Sequence, residues 1–215
     1  MFPLGDASRQ PARFPAITIG FIVVNALVFV LELTQGDAFI QAWSLIPAEF
    51  AAGHRPETLL TSMFLHGGWS HIIGNMVFLW AFGPQIEDAM GMLRYLAFYL
   101  LGGAVAMAAQ VFMDPASTIP NLGASGAIAA VMGAFLVTYP RDRIKTIVFL
   151  GVFTRITFIP AMVLIGVWFL MQLVSVGAIT SQEGGGVAYT AHIAGAIFGA
   201  ATAWFFEDRA RIGLD

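Results

Sequence analysis

The amino-acid sequence predicts an all-α membrane protein built as a bundle of six transmembrane helices. The chain has 215 residues, of which 58% are hydrophobic and only 11% are charged, whereas soluble domains carry about 25% charged residues. Its mean hydropathy is +0.80, and long apolar runs recur along its length. We therefore expect one membrane domain over residues 15–207, with short cytoplasmic tails over residues 1–14 and 208–215.

Six apolar runs are long enough for transmembrane helices, which need about 20 mostly apolar residues. They lie at residues 16–33, 69–89, 94–113, 124–140, 157–177 and 189–206. Residues 144–156 are also apolar, but joining them to the fifth run would make an overlong helix interrupted by Arg155 and Pro160. We expect this stretch to be an interfacial loop. The long connection over residues 34–68 contains the interfacial residue Trp43 and is expected to be a structured outer loop.

The basic residues orient the predicted bundle in the membrane. If both termini share one side, nine of the ten Lys and Arg residues fall on that side, and Arg55 in the first loop is the exception. The positive-inside rule makes that side the cytoplasm. The first 15 residues are too polar for a signal peptide. The chain has no cysteine, which excludes disulfides, thiolate metal sites and a cysteine nucleophile.

Three polar side chains share one depth in this bundle. His71, Ser125 and His192 each lie 15 or 16 residues before the charged residue that ends their span on the cytoplasmic side. At a rise of about 1.5 Å per residue, all three lie about 22–24 Å above the inner boundary. Because the hydrocarbon layer is about 30 Å thick, we expect them to line a sunken, wet pocket that opens to the outer side.

This layer contains the groups that acyl transfer requires. His192 can be the base that activates Ser125, and the attack creates an oxyanion that needs hydrogen-bond donors. His71 and Asn75 are one helical turn apart on one face of the second span, so they are the expected oxyanion-hole donors. The sequence has no Asp or Glu at that depth to orient His192, which predicts a Ser-His dyad rather than a triad.

A metal site is the less favoured explanation of the buried histidines. His66 and His71 are five residues apart, about 140° around a helix, and no Cys, Asp or Glu lies nearby at the spacing of metal ligands. We therefore expect no metal and no other cofactor.

Glycines are expected to support the same site. Gly126 in the fourth span and Gly195 in the sixth belong to rows of small residues at four-residue spacing, which let helix backbones approach closely. Gly123 precedes Ser125 and would allow a tight turn at the oxyanion. The predicted effect is to bring Ser125 close to His192.

These segments resemble the rhomboid intramembrane serine proteases. The match consists of "HGGWSHIIGNM" (66–76), "GASG" (123–126) and "AHIAG" (191–195), which are similar to the family's His-x-x-x-Asn, Gly-x-Ser-Gly and Ala-His-x-x-Gly segments. Their order, their spacing and the spans that carry them agree with the family over nearly the whole chain. The resemblance implies a rhomboid-like protease domain with Ser125 as nucleophile, His192 as general base, and His71 and Asn75 in the oxyanion hole.

The resemblance also implies the kind of partner and the location. The expected substrates are single-span membrane proteins in the lipid bilayer, cut in or near their transmembrane segment, without nucleic acid or nucleotide. The expected location is a bacterial inner membrane, with both termini cytoplasmic and the active site open to the outer side. Trp168 and Phe169 on the fifth span would border the lateral route of the substrate, and a gating role there is a hypothesis.

The sequence departs from the family pattern at two places. Some members have a Trp-Arg pair in the first loop and an aromatic residue four positions after the serine. Here the corresponding positions are Glu57-Thr58 and Ala129. The second departure removes the ring expected to stack on His192, but neither removes a reacting group.

Two other classes of function stay open from the sequence. One is a non-catalytic rhomboid-like membrane chaperone or scaffold that binds transmembrane helices. The other is a small transporter in which buried histidines relay protons; this class is expected to show internal repeats, and the sequence shows none.

Overall fold

The long helices form a bundle with a small antiparallel sheet attached to it. The computed structural model describes residues 1–150, 153–178 and 189–212. In chain order the helices are α1 (Ala16–Gln35), α2 (Asp37–Trp43), α3 (Pro47–Ala51), α4 (Thr58–Thr61), α5 (Trp69–Met90), α6 (Met92–Met113), α7 (Ser125–Thr138), α8 (Ala161–Ala178), α9 (Tyr189–Phe206) and α10 (Arg209–Ile212). The strands are β1 (Phe2–Asp6), β2 (Arg143–Leu150) and β3 (Phe153–Pro160).

Each of the six predicted spans coincides with a long helix: α1, α5, α6, α7, α8 or α9. The largest difference is at the start of α8, because β3 occupies the residues just before it. Within the described residues, α1 and α6 are long and apolar enough to cross a membrane by length and composition, and α7 and residues 161–171 are shorter apolar helices.

The connection between α1 and α5 is folded. Gly36, with φ +69°, ends α1 and precedes α2. Pro47 occupies the first position of α3, where its fixed φ favours a helix start. The short helix α4 continues into a 3-10 turn at Ser62–Phe64, which leads to the segment before α5.

Parts of the predicted tail and of the predicted interfacial loop form strands. The sheet order is β1-β2-β3, and both pairs are antiparallel. Strands β2 and β3 pair in register along their whole length, and they are rich in β-branched and aromatic residues, which favour strands. Apolarity alone does not separate such a hairpin from a loop at the interface. The fold is therefore mostly helical rather than all-α.

Asp6 stabilises the turn that follows β1. Its side chain is buried and accepts hydrogen bonds from the backbone N–H groups of Ser8 and Arg9 at 2.7 and 3.2 Å. Arg9 in turn pairs with Asp142 at 3.0 Å. Burial, reinforced by the Asp142 carboxylate, raises the pKa of Asp6 to about 6. Because this pKa lies above the ordinary value, the stability that Asp6 contributes is greatest at low pH and falls as the pH rises towards 6.

Helix α7 is the centre of the bundle. All of its residues from Gly126 to Phe135 are buried, against α5, α6 and α9. Its backbone touches that of α9, because a Cβ added to Gly195 would overlap the Gly126 carbonyl and one added to Gly199 would overlap the Ala130 carbonyl. Glycine is required at such contacts.

The first turn of α1 is held by an acid from another helix. Glu87 of α5 is buried and accepts the backbone N–H groups of Ile17 and Thr18 at 2.9 and 2.8 Å, and also the Thr18 hydroxyl at 2.8 Å. These N–H groups have no partner within α1. The carboxylate therefore caps α1 and ties it to α5.

Candidate active site

The structure brings Ser125 and His192 into direct contact. Ser125 is the first residue of α7, and His192 lies in the first turn of α9. The distance between His192 Nε2 and Ser125 Oγ is 2.6 Å, which is a short hydrogen bond. The close backbone contact of α7 and α9 supports this geometry, since Gly126 directly follows Ser125, Gly195 lies three residues after His192, and a Cβ on Gly195 would overlap the Gly126 carbonyl.

Gly126 and Gly195 have different neighbours. The Gly195 backbone faces the Gly126 carbonyl, whereas the missing side chain of Gly126 faces α6, where a Cβ would come 2.5 Å from the Ala106 Cβ. Gly126 thus lets α7 approach α6 and α9 at once.

His71 and Asn75 line the same cavity as the serine and the histidine. The cavity has a volume of about 530 Å³, and Phe78, Ile128, Met132 and Trp168 contribute apolar walls. Asn75 is buried, and its side-chain Nδ2 has no hydrogen-bond partner within the described part of the chain. A buried amide donor without a partner is costly unless a ligand or water meets it. It is therefore available to an oxygen atom bound in the cavity.

The hydrogen bonding of His71 defines which ring nitrogen can donate. His71 Nδ1 accepts the backbone N–H of Gly67 at 3.3 Å. A neutral imidazole that accepts at Nδ1 carries its proton on Nε2. A Cβ built on Gly123 would lie 2.9 Å from His71 Nε2 and 3.6 Å from Ser125 Oγ, so these two atoms face the same small space. His71 is thus arranged as a donor next to the serine.

Gly123 occupies a position that only glycine fits well. Its φ is +125°, outside the range that other residues readily adopt. Its N–H donates to the Ser62 carbonyl at 2.9 Å, which attaches the chain before Ser125 to the turn that follows α4. Nearby, Asn121 and Leu45 exchange backbone hydrogen bonds. The folded first connection therefore holds the loop that presents the serine.

Two aromatic rings lie beside His192 that the motifs did not identify as its neighbours. The Trp168 ring of α8 is 5.7 Å from the imidazole, centroid to centroid, and the Tyr189 ring is 6.3 Å away in an edge arrangement. Ala129 stands where some rhomboids have an aromatic residue. It is buried, and its Cβ lies 3.3 Å from where a Gly195 Cβ would stand, so α9 occupies the space next to this side chain. Only the tertiary structure shows that Trp168 lies beside His192, because the two residues are on different helices.

Comparison with known proteins bears on the class of this chain. The rhomboid domain model matches residues 54–209. The chain is 32% identical over 205 residues to RHOMBOID-like protein 12, mitochondrial, of Arabidopsis thaliana, covering 87% of this chain and 57% of that protein. It is 32% identical over 139 residues to the human Presenilin-associated rhomboid-like protein, mitochondrial, covering 63% and 36%. To Rhomboid protease GluP of Bacillus subtilis it is 32% identical over 126 residues, covering 57% and 24%.

These matches, together with the bundle of long apolar helices, show that the chain is an integral membrane protein. The chain belongs to the rhomboid family, which confirms the resemblance drawn from the three motifs. It spans between 24% and 57% of the length of these three relatives. Two of the three are mitochondrial by name and one is bacterial.

Proposed function

We propose that the chain is an intramembrane serine endopeptidase that uses a Ser-His dyad to hydrolyse a peptide bond in or near the transmembrane segment of another membrane protein. The observation that carries the proposal is the 2.6 Å contact between Ser125 Oγ and His192 Nε2, in the wall of a cavity that also contains His71 and Asn75. Membership of the rhomboid family supports the class of activity, since the GluP relative is named a protease.

The residues have distinct roles in the proposed reaction. His192 Nε2 takes the hydroxyl proton of Ser125 while Oγ attacks the carbonyl carbon of the substrate. The carbonyl oxygen becomes an oxyanion, which accepts hydrogen bonds from His71 Nε2 and Asn75 Nδ2. When the carbon–nitrogen bond breaks, His192 gives its proton to the leaving amine. A water molecule, deprotonated by His192, then attacks the acyl-serine ester. The bond from the acyl carbon to Oγ breaks, His192 returns the proton to Oγ, and the acyl group leaves as the new carboxyl terminus.

The proposal includes a membrane arrangement. In it, the six long helices cross the bilayer as a protease domain over residues 15–207, both termini are cytoplasmic in a bacterial inner membrane, and the cavity opens to the outer side. The excess of basic residues on one side supports this orientation. Exposed apolar side chains such as Leu27, Val30 and Phe112 suit contact with lipid. The substrate is a single-span membrane protein whose helix must unwind locally to present a carbonyl.

The direct test is cleavage of a single-span reporter by the purified chain in detergent and in liposomes. We expect Ser125→Ala and His192→Ala each to lower kcat by at least about 10⁴-fold, because nucleophile and base act as a unit. Matched controls are Ser117→Ala and His54→Ala, which change residues in outer connections away from the cavity. A serine-directed phosphonylating probe should label the wild type and not Ser125→Ala.

Two outcomes would overturn the assignment. Cleavage by Ser125→Ala at the wild-type rate would exclude the serine as nucleophile. A wild type that binds the reporter without cutting it, with cellular effects that persist in Ser125→Ala, would favour a membrane chaperone or scaffold.

Asn75→Ala tests the oxyanion hole. We expect turnover to fall by about 10² to 10³, the effect of removing one oxyanion donor, and the melting temperature to stay close to that of the wild type. Stability should be maintained because the Asn75 Nδ2 donates to no protein atom within the described residues. Unchanged turnover with a lower melting temperature would instead give Asn75 a structural role.

A further inference from the structure

A buried carboxylate on α1 contacts the segment that precedes the proposed oxyanion site. Glu32 is 4% exposed, and its two carboxylate oxygens accept the backbone N–H of His66 at 3.0 and 3.1 Å. The ion pairs found among the described residues do not include Glu32. The buried acid is thus held by a single peptide N–H from a segment that is distant in sequence.

This placement of Glu32 is unfavourable for α1 itself. Burying a carboxylate without a cation costs free energy. In addition, Glu32 lies in the last turn of α1, where the negative end of the helix dipole disfavours an acid. One hydrogen bond offsets only part of these costs. The arrangement therefore points to a benefit in the segment that Glu32 holds.

That segment leads directly to His71. His66 is followed by Gly67 and by Gly68, which has a φ of +148° and is the N-cap residue before α5. The Gly67 N–H is the group that donates to His71 Nδ1. Two consecutive glycines leave the backbone many conformations, so this donor needs a fixed point beside it. The hydrogen bond from His66 to Glu32 provides that point one residue earlier.

The His66 and His71 rings confirm how tightly this segment packs on α5. Their centroids are 5.1 Å apart in an edge arrangement, and His66 is 1% exposed. A shift of the His66 peptide therefore moves groups that contact His71 directly.

We infer that Glu32 is a positioning residue for the oxyanion hole: through His66 and Gly67 it keeps His71 in the tautomer whose Nε2–H faces Ser125. The inference rests on the proposed protease function. Without Glu32, the Gly67 N–H is free to leave Nδ1, and His71 can then carry its proton on Nδ1. Nε2 would become an acceptor facing the oxyanion, which is the wrong polarity for catalysis.

A double-mutant cycle separates this role from simple structural support. Glu32→Ala should lower kcat on the order of 10²-fold, the scale of a small misplacement in an active site, with KM for the reporter little changed. Glu32→Gln keeps a carbonyl acceptor and should retain most of kcat. In a His71→Ala background, Glu32→Ala should cause no further loss of kcat. Thr34→Ala, an exposed residue near the same end of α1, is the matched control.

The tautomer of His71 gives a readout that does not depend on cleavage. The chain has four histidines, so ¹⁵N-labelled imidazole spectra of the protein in micelles are simple, and His71→Ala assigns the His71 signals. We expect the Nε2–H tautomer in the wild type and a mixture in Glu32→Ala. If Glu32→Ala does not fold, Glu32→Gln replaces it in both measurements. It should cause a smaller loss of kcat that disappears in the His71→Ala background, and a smaller fraction of the Nδ1–H tautomer of His71 in the protein that keeps this histidine.

The outcomes for the two proposals are distinct. If the wild type neither cleaves the reporter nor reacts at Ser125, the protease function fails, while the spectra still test the effect of Glu32 on His71. If the wild type cleaves, the inference is overturned when Glu32→Ala retains the wild-type kcat. It is also overturned when Glu32→Ala lowers kcat by the same factor in the His71→Ala background as in the wild type. A third contradicting result is that His71 keeps one tautomer in every folded variant.

Discussion

Replacing Gly123 by alanine should impair the proposed active site while the bundle stays folded. The change adds one methyl group two residues before Ser125. The methyl group acts in two ways. It strains the backbone, whose conformation at this position suits glycine, and it fills the space next to the His71 ring.

The magnitude follows from these two effects. An alanine at φ +125° costs about 1–3 kcal/mol of backbone strain. The new Cβ would lie 2.9 Å from His71 Nε2 and Cε1, whereas unstrained contacts between such atoms are about 3.5–4.0 Å. The ring and the loop must therefore separate by at least about 0.6 Å. Complete loss of an oxyanion donor costs about 10² to 10³ in kcat, so a partial displacement should cost about 10- to 100-fold.

The assay is cleavage of the single-span reporter, with kcat and KM measured separately and the melting temperature followed by tryptophan fluorescence. We expect kcat to fall, KM to change little and the melting temperature to drop by a few degrees. Gly20→Ala in α1 is the control, because its Cβ would meet no heavy atom within 4 Å. A folded Gly123→Ala enzyme with the wild-type kcat would refute the assignment of His71 Nε2 to the space beside Ser125.

Three further changes test the packing and the electrostatics around the site. Gly195→Ala should separate α9 from the Gly126 carbonyl and lower both stability and labelling of Ser125; a labelling rate equal to that of the wild type would contradict the close-contact argument. Glu87→Ala should destabilise the protein by at least about 2 kcal/mol in denaturant titrations, since hydrogen bonds to a charged group contribute about 1.5–3 kcal/mol each, and Glu87→Gln should lose less. Asp6→Asn should stabilise the protein relative to the wild type above pH 6, and this gain should shrink towards pH 4, where the wild-type carboxyl is protonated. A melting-temperature difference independent of pH would contradict the raised pKa of Asp6.

The sequence was most informative where a feature depends on nearby residues. Apolar runs located the long helices to within a few residues, because burial in lipid requires a continuous apolar segment whatever its neighbours are. Counting along those runs also placed His71, Ser125 and His192 at one depth. The structure then brought Ser125 and His192 into contact, and it placed His71 beside the serine. Their catalytic roles remain proposals that the variants above test.

The sequence was least informative where two distant segments pair. Residues 144–156 are predicted to form an interfacial loop, because hydropathy does not distinguish such a loop from a hairpin, whereas the described residues of this stretch lie in β2 and β3. Strand β1 is too short to be recognised by pattern alone, and it exists because β2 offers it an edge. Trp168 was assigned to the substrate's route from its span, but its proximity to His192 depends on how α8 packs on α9.

By itself, the sequence determined the class of protein and the positions of the long apolar helices, and it predicted a set of polar residues at one depth, since each follows from local composition and helical rise. Only the tertiary structure decided which of these residues meet, and it added groups that no motif marks. Glu32 is the clearest case, because its carboxylate acts on a peptide N–H 34 residues away. Such a contact depends on the packing of α1 against the segment before α5, which hydropathy and spacing do not encode.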